Sequence, residues 1–221
     1  MAGLAALRSG VGLVTVATAD PALDTVARFA PELMTAPLPA TETGAIAKTA
    51  LPALRELTRG KDVVAIGPGL GTQPETVGVV RALMAEIPQP MVVDADALNA
   101  LAGAEWTSAG PRIFTPHPGE MSRLTAHPTS EILRNGPDIA RRFAIDRNVT
   151  LVLKGHRTLI AFPDGRVWVN TTGSPAMATG GTGDILTGLV AGLLGQYPEQ
   201  PDLATGAAVW LHGMAGQIGA R

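Results

Sequence analysis

From Gly12 to Lys154, short runs of β-branched and other apolar residues alternate with longer stretches in which small apolar residues recur at helical spacing. The compact runs at 12–17, 62–66, 90–94, 111–115 and 149–154 predict strands. The stretches at 21–30, 44–58, 74–86, 97–102 and 137–147 predict helices, several opened by Pro or Asp, which suit a helix's first turn. This alternation predicts an α/β fold with a parallel sheet, and right-handed crossovers then place helices on both of its faces. After Lys154 the pattern changes. Runs at 158–162 and 166–170 flank the turn tripeptide Pro163-Asp164-Gly165, predicting an antiparallel hairpin appended to the sheet. Helices at 182–195 and 202–219 follow, and no repeat, linker or low-complexity tract marks a domain boundary. One domain is expected.

Composition narrows the function. Apolar residues make 46% of the 221 and charged residues 16%, which excludes disorder and coiled coil. A net charge of -2 with no basic run argues against nucleic acid as a partner. Without cysteine there is no disulfide, thiolate nucleophile or sulfur-bound zinc, and His117, His127, His156 and His212 are too scattered for a local metal motif. The longest apolar stretch, Ile185–Leu194, is far short of the roughly 20 residues that span a bilayer. The first residues lack the apolar run of a signal peptide, so a cytoplasmic protein with no membrane partner is expected.

In an open parallel sheet, ligands sit beyond the carboxyl ends of the strands. There the chain places Gly67-Pro68-Gly69-Leu70-Gly71, whose glycines permit positive φ and close backbone approach, although a loop that only turns the chain has the same composition. Its spacing is not that of a dinucleotide fingerprint. Next comes Asp94-Ala95-Asp96-Ala97-Leu98-Asn99, two carboxylates that suit a hydrated Mg²⁺ or a sugar hydroxyl, or alternatively a helix N-cap. In Thr115-Pro116-His117-Pro118-Gly119-Glu120, two prolines stiffen a turn presenting an imidazole and a carboxylate. Lys154-Gly155-His156-Arg157-Thr158 puts a cation and a flexible turn where an anionic or purine-bearing ligand could lie, or forms a polar hairpin loop.

The most specific segment is Thr179-Gly180-Gly181-Thr182-Gly183-Asp184, which runs straight into an apolar helix. Consecutive backbone N–H groups at a helix start, backed by the macrodipole, make a site for a phosphoryl group. Asp184 in the first turn can cap the helix or accept a proton from an attacking hydroxyl. On that helix Ile185, Leu186, Leu189, Val190, Leu193 and Leu194 predict a buried face, while Gly188, Gly192 and Gly195 permit close packing on another side.

Together these five motifs resemble, in order and over nearly the whole chain, the ADP- or ATP-dependent NAD(P)H-hydrate dehydratases, a carbohydrate kinase family of the ribokinase-like superfamily. The resemblance implies a three-layer α/β/α sandwich and repair of the S epimer of hydrated NADH or NADPH. A nucleotide, ADP in most bacterial members, phosphorylates the ring hydroxyl, and loss of phosphate restores the double bond. It further implies that Asp184 is the catalytic base and touches substrate, with Gly69, His117, Glu120 and Arg123 as substrate contacts. Lys154, Gly155, His156, Arg157 and Thr158 are expected to border the adenosine half of the nucleotide, and Thr179, Gly180, Gly181, Thr182 and Gly183 to form the phosphate site. Mg²⁺ is expected with the nucleotide, its ligands left open except that Glu120 falls where related kinases hold a carboxylate near Mg²⁺, here through water. A homo-oligomer, a tetramer in many members, is implied as well.

Members of the family begin with an apolar strand and a Gly/Ser/Tyr-containing segment ahead of the position of Gly3, and continue past that of Arg221. The expectation is therefore a single ribokinase-like domain over 1–221 without those two ends. The alternatives are a small-molecule kinase of the same superfamily and a non-catalytic nucleotide-binding fragment.

Overall fold

The computed structural model describes residues 1–220, so Arg221, the end of the expected domain, lies outside the described residues. In chain order the elements are α1 (Ala2–Arg8), β1 (Thr15–Ala19), α2 (Leu23–Ala27), β2 (Met34–Leu38), α3 (Leu51–Thr58), β3 (Val64–Ile66), α4 (Pro74–Glu86), β4 (Met91–Val93) and α5 (Ala95–Leu101). They continue with β5 (Arg112–Phe114), α6 (Pro118–Thr125), α7 (Thr129–Arg147), β6 (Thr150–Leu153), β7 (Leu159–Ala161), β8 (Val167–Val169), α8 (Thr182–Gln196) and α9 (Pro201–Gly219). Strands β3, β4, β5 and β6 lie side by side and parallel, and β7 and β8 extend the same sheet antiparallel.

The period of two along each strand divides the core. Val92, Ile113, Val152 and Ile160 point to one face, where Leu186, Val190, Leu193 and Leu194 of α8 and Ala204, Ala208 and Val209 of α9 cover them. Val93, Phe114, Leu151 and Ala161 point to the other, against α4, α5 and α7. Two covered faces make the three layers, as a parallel sheet requires. The hairpin forms where the turn residues place it, with Asn170 N–H donating to the Thr158 carbonyl at its mouth.

Several expectations need correction. Strand β1 is not part of the main sheet: it pairs in parallel with β2 as a separate two-stranded sheet. The run at 34–38 does not read as a strand because it contains Pro37, yet β2 is bonded on one side only, where a missing N–H costs nothing. Helix α1 is also unforeseen. A Cβ at Gly188 would collide with the Ala2 carbonyl and one at Gly192 with Ser9 Oγ, so these glycines let α8 press against α1. Gly195 has no such close neighbour, and Ile185 is exposed rather than part of the buried face. The helix expected at 44–58 shortens to α3 after a 3₁₀ turn at Lys48–Ala50. Helix α7 begins at Thr129 and kinks at Asn135, because Pro137 can continue the helix only where the preceding backbone departs from helical angles. Among the described residues no helix is long and apolar enough to cross a membrane.

Candidate active site

The carboxyl ends of β3 to β6 and the amino end of α8 meet at one edge of the sheet. Gly67, at the end of β3, has φ +132°, and a Cβ there would run into the carbonyl of Asp94 at the end of β4. Glycine is thus required for these two strand ends to touch. Asp96 Oδ2 accepts from Gly71 N–H at 2.8 Å, Asn99 Nδ2 donates to Asp96 Oδ1, and Arg123 Nε donates to Asn99 Oδ1 at 2.8 Å. This chain of bonds fixes the glycine loop bearing the exposed Gly69 to α6 and sets Gly69 and Arg123 on one rim.

The turn expected at His117–Glu120 is the start of α6. His117 is its N-cap: Nδ1 accepts from the N–H of Gly119 at 2.9 Å and of Glu120 at 3.3 Å, while Glu120 Oε2 accepts from His117 N–H at 2.7 Å. This capping box uses Nδ1 as an acceptor, which puts the neutral ring's proton on Nε2. Half the imidazole remains exposed, so one side chain caps the helix and still presents a face to solvent.

Beneath these strand ends lies a buried charge cluster. Asp94, 1% exposed, takes a bond from Lys154 Nζ on Oδ1 at 2.8 Å and one from Thr187 Oγ1 on Oδ2 at 2.7 Å. Lys154 Nζ is also 3.7 Å from Glu120 Oε2. Of the alternatives for the Asp94/Asp96 pair, the side-chain helix cap is overturned. Asp94 makes no side-chain cap bond to α5, and both its oxygens are engaged. Asp96 serves the glycine loop and Asn99. Among the described residues no group of three or more His, Asp or Glu could enclose a metal ion. The donor set therefore fits a Mg²⁺ that arrives on phosphate and keeps most of its waters, with the buried Glu120 as the carboxylate that would hold it, and does not fit a resident protein cage.

At the amino end of α8, Gly181 is the N-cap with φ +87°, and Thr182 Oγ1 donates to the Thr179 carbonyl at 2.9 Å. The N–H groups of Gly183 and Asp184 have no acceptor among the described residues, and the half-buried Asp184 carboxylate has no hydrogen-bond or ion-pair partner there. The loop 155–158 closes on itself, Thr158 Oγ1 donating to the Gly155 carbonyl, and leaves His156 and Arg157 exposed. Lys154 parts company with it: its head turns inward, about 3.4 Å from where a Cβ on Gly183 would sit. Two participants escape sequence reading. Thr187 and His212 take their roles from neighbours far along the chain, His212 Nε2 lying 2.9 Å from the Thr182 carbonyl. Only Thr187 carries a signal, a polar residue one turn into an apolar helix that must find a partner if buried.

The mostly parallel α/β sheet, with its antiparallel extension and a glycine-lined helix start at its carboxyl edge, has the architecture of the ribokinase-like class of proteins. A ribokinase-like superfamily protein from Enterococcus faecalis has the same fold, with a TM-score of 0.83 and 31% identity over 99% of this chain and 73% of that one. The family model described as NAD(P)H-hydrate dehydratase (Carb_kinase) matches residues 1–220, and the chain belongs to that family. It is 46% identical over 224 residues to the bifunctional NAD(P)H-hydrate repair enzyme Nnr of Moorella thermoacetica, covering 100% of this chain and 42% of that protein. Against the ADP-dependent (S)-NAD(P)H-hydrate dehydratase of Bacillus subtilis the identity is 38%, over 99% of this chain and 74% of that one. A crystal structure of ADP/ATP-dependent NAD(P)H-hydrate dehydratase from Bacillus subtilis, co-crystallised with ATP and Mg²⁺, has a TM-score of 0.79, 34% identity, and coverage of 96% and 72%. The chain thus spans about two-fifths of the length of the bifunctional relatives it matches.

Proposed function

We propose that the chain carries out ADP- or ATP-dependent dehydration of the S epimer of hydrated NADH or NADPH, returning the intact dinucleotide. The observation that carries this reading is the unpaired Asp184 carboxylate beside the two unbonded amides of α8. A base and an anion hole on one helical turn suit attack of a hydroxyl on phosphorus. In this reading Asp184 takes the proton of the ring hydroxyl as its oxygen bonds to the terminal phosphorus of the nucleotide, and the bridging P–O bond breaks. AMP leaves if ADP is used. Expulsion of phosphate from the ring, with loss of a ring proton, then restores the double bond.

The amides of Gly183 and Asp184, with Thr179 to Thr182 shaping the loop, receive the transferred phosphoryl group. Gly69, His117, Glu120 and Arg123 line the side from which the hydrated nicotinamide enters, and Gly155 to Thr158 border the nucleotide. Two carboxylates, Asp94 and Glu120, stand against one ammonium, and Asp184 is unpaired, so the nucleotide has to bring counter-charge with it. Mg²⁺ supplies this by neutralising charge on the phosphates, and Glu120 would hold it through water.

We further infer one ribokinase-like domain acting in the cytoplasm as a homo-oligomer, a tetramer whose mass light scattering would read. Exposed Leu203, Trp210, Leu211 and Ile218 on α9 support an oligomer, because apolar stripes of this kind are usually covered. The test of activity is recovery of NADH absorbance from its hydrate. Recovery that requires ADP or ATP with Mg²⁺ supports the reading; nucleotide consumption without recovery, on a different alcohol, would replace it with a small-molecule kinase.

A further inference from the structure

We infer that Asp94 is a positioning residue whose task is to hold the Lys154 ammonium against the phosphate site at Gly183, so that Lys154 addresses the transferred phosphoryl group and not adenosine. This rests on the nucleotide-dependent reading above and adds a residue to it.

The placement of Lys154 opposes local electrostatics. The amino end of a helix carries partial positive charge, and cations are stabilised at the opposite end. Yet Nζ lies about 3.4 Å from where a Cβ of Gly183 would be, within the first turn of α8. A lysine on a flexible four-carbon stem would leave such a field for solvent unless something retained it. Asp94 retains it, at 2.8 Å, and is itself kept in one orientation by Thr187 from the second turn of α8. Burying that carboxylate is costly, and the cost would be avoided by an apolar residue at the end of β4. What the arrangement provides is a fixed cation with unused N–H donors beside two unbonded amides. Glu120 Oε2, at 3.7 Å, is beyond hydrogen-bond length and leaves those donors free. Gly183 has ordinary helical φ, so glycine there serves space rather than backbone freedom: it leaves the ammonium open to a ligand on the helix start.

The test compares ADP and adenosine binding by calorimetry for the whole chain, with Asp94→Asn, Lys154→Met and the double variant. Asp94→Asn should weaken ADP at least tenfold and adenosine less than twofold. Because Asp94 acts through Lys154, the double variant should bind ADP no worse than Lys154→Met alone, whereas independent roles would add. Asp94→Glu, which restores the charge, should recover part of the ADP affinity. Where Asp94→Asn does not fold, Thr187→Val, which removes only the orienting hydroxyl, should still weaken ADP several-fold and spare adenosine. Equal losses for ADP and adenosine, or additive losses in the double variant, overturn the assignment. Wild-type ADP binding left intact by Asp94→Asn overturns it alone, while a wild-type chain that binds neither ligand overturns the nucleotide reading with it.

Discussion

The imidazole of His212, on α9, meets the carbonyl of Thr182, the first residue of α8, at 2.9 Å across 30 residues of chain. It ties α9 to the amino end of α8. Burial holds the His212 pKa below its ordinary value of 6.5, against the raising effect of the Thr182 carbonyl, and the nearby Lys154 ammonium pushes it the same way as burial. The neutral ring therefore donates through Nε2.

A pH dependence follows from that direction. The unfolded chain protonates His212 near pH 6.5 while the folded protein resists, so the stabilising contribution is complete above 6.5 and is lost as pH falls below it. Thermal melts from pH 8 to 5 should show wild type losing more stability on acidification than His212→Asn. Parallel curves for the two proteins would remove His212 from this role.

Asp184→Asn should keep the helix start and nucleotide binding but lose the proton acceptor. General-base contributions are of order 10² to 10⁴ in rate, or about 3 to 5 kcal/mol of barrier. Recovery of NADH absorbance should fall by that factor while the affinity for ADP holds within about twofold. A variant that keeps more than about a tenth of the rate would take Asp184 out of the base role.

At Gly183 a methyl group has room in the fold but not beside a ligand, since the nearest atoms, Lys154 Nζ and Asp94 Oδ2, lie about 3.4 and 3.9 Å from the Cβ position. Gly183→Ala should leave the melting temperature level or raise it slightly, as alanine favours helix by up to about 1 kcal/mol. ADP binding should weaken about tenfold or more, which calorimetry reads directly.

Gly67→Ala is expected to do the reverse. It combines φ +132° with a collision against the Asp94 carbonyl, so it should cost more than about 3 kcal/mol, or roughly 6 to 12 °C of melting temperature in a domain of this size. A stable variant would show that the ends of β3 and β4 can separate.

Arg112 is 1% exposed, and its guanidinium donates to the carbonyls of Met84, Ile87, Gln89 and Pro111. Burial lowers its pKa to about 10, so it remains a cation at neutral pH, closing the carbonyl end of α4. Arg112→Met would leave the Ile87 and Gln89 carbonyls without a donor, Met84 and Pro111 keeping the N–H groups of Ala109 and Met91, and should cost about 3 kcal/mol or more in chemical denaturation, with little effect at the distant amino end of α8.

The sequence by itself determined the parallel strands β3 to β6, the hairpin, helices α8 and α9 and the glycine-rich entry to α8, because each depends on residues close together in the chain. Hydrophobic period, Pro-Asp-Gly turn chemistry and consecutive glycines before an apolar helix are local signals. Helix α6 shows the limit: His-Pro-Gly-Glu reads as a turn until Nδ1 of His117 is seen to cap it, since histidine is not among the usual capping residues. Tertiary structure alone decided that Asp94, at the N-cap position of α5, engages Lys154 and Thr187 with its carboxylate and does not cap the helix with it. Its partners Lys154 and Thr187 lie 60 and 93 residues away, and no periodicity records such pairing. It also decided that β1 and β2 form their own sheet, because strand neighbours are chosen by long-range hydrogen bonding after the helices have packed. The chemistry of each strand end was legible in the chain; which ends share an ammonium, and which way that ammonium faces, required the fold to bring them within 3 Å.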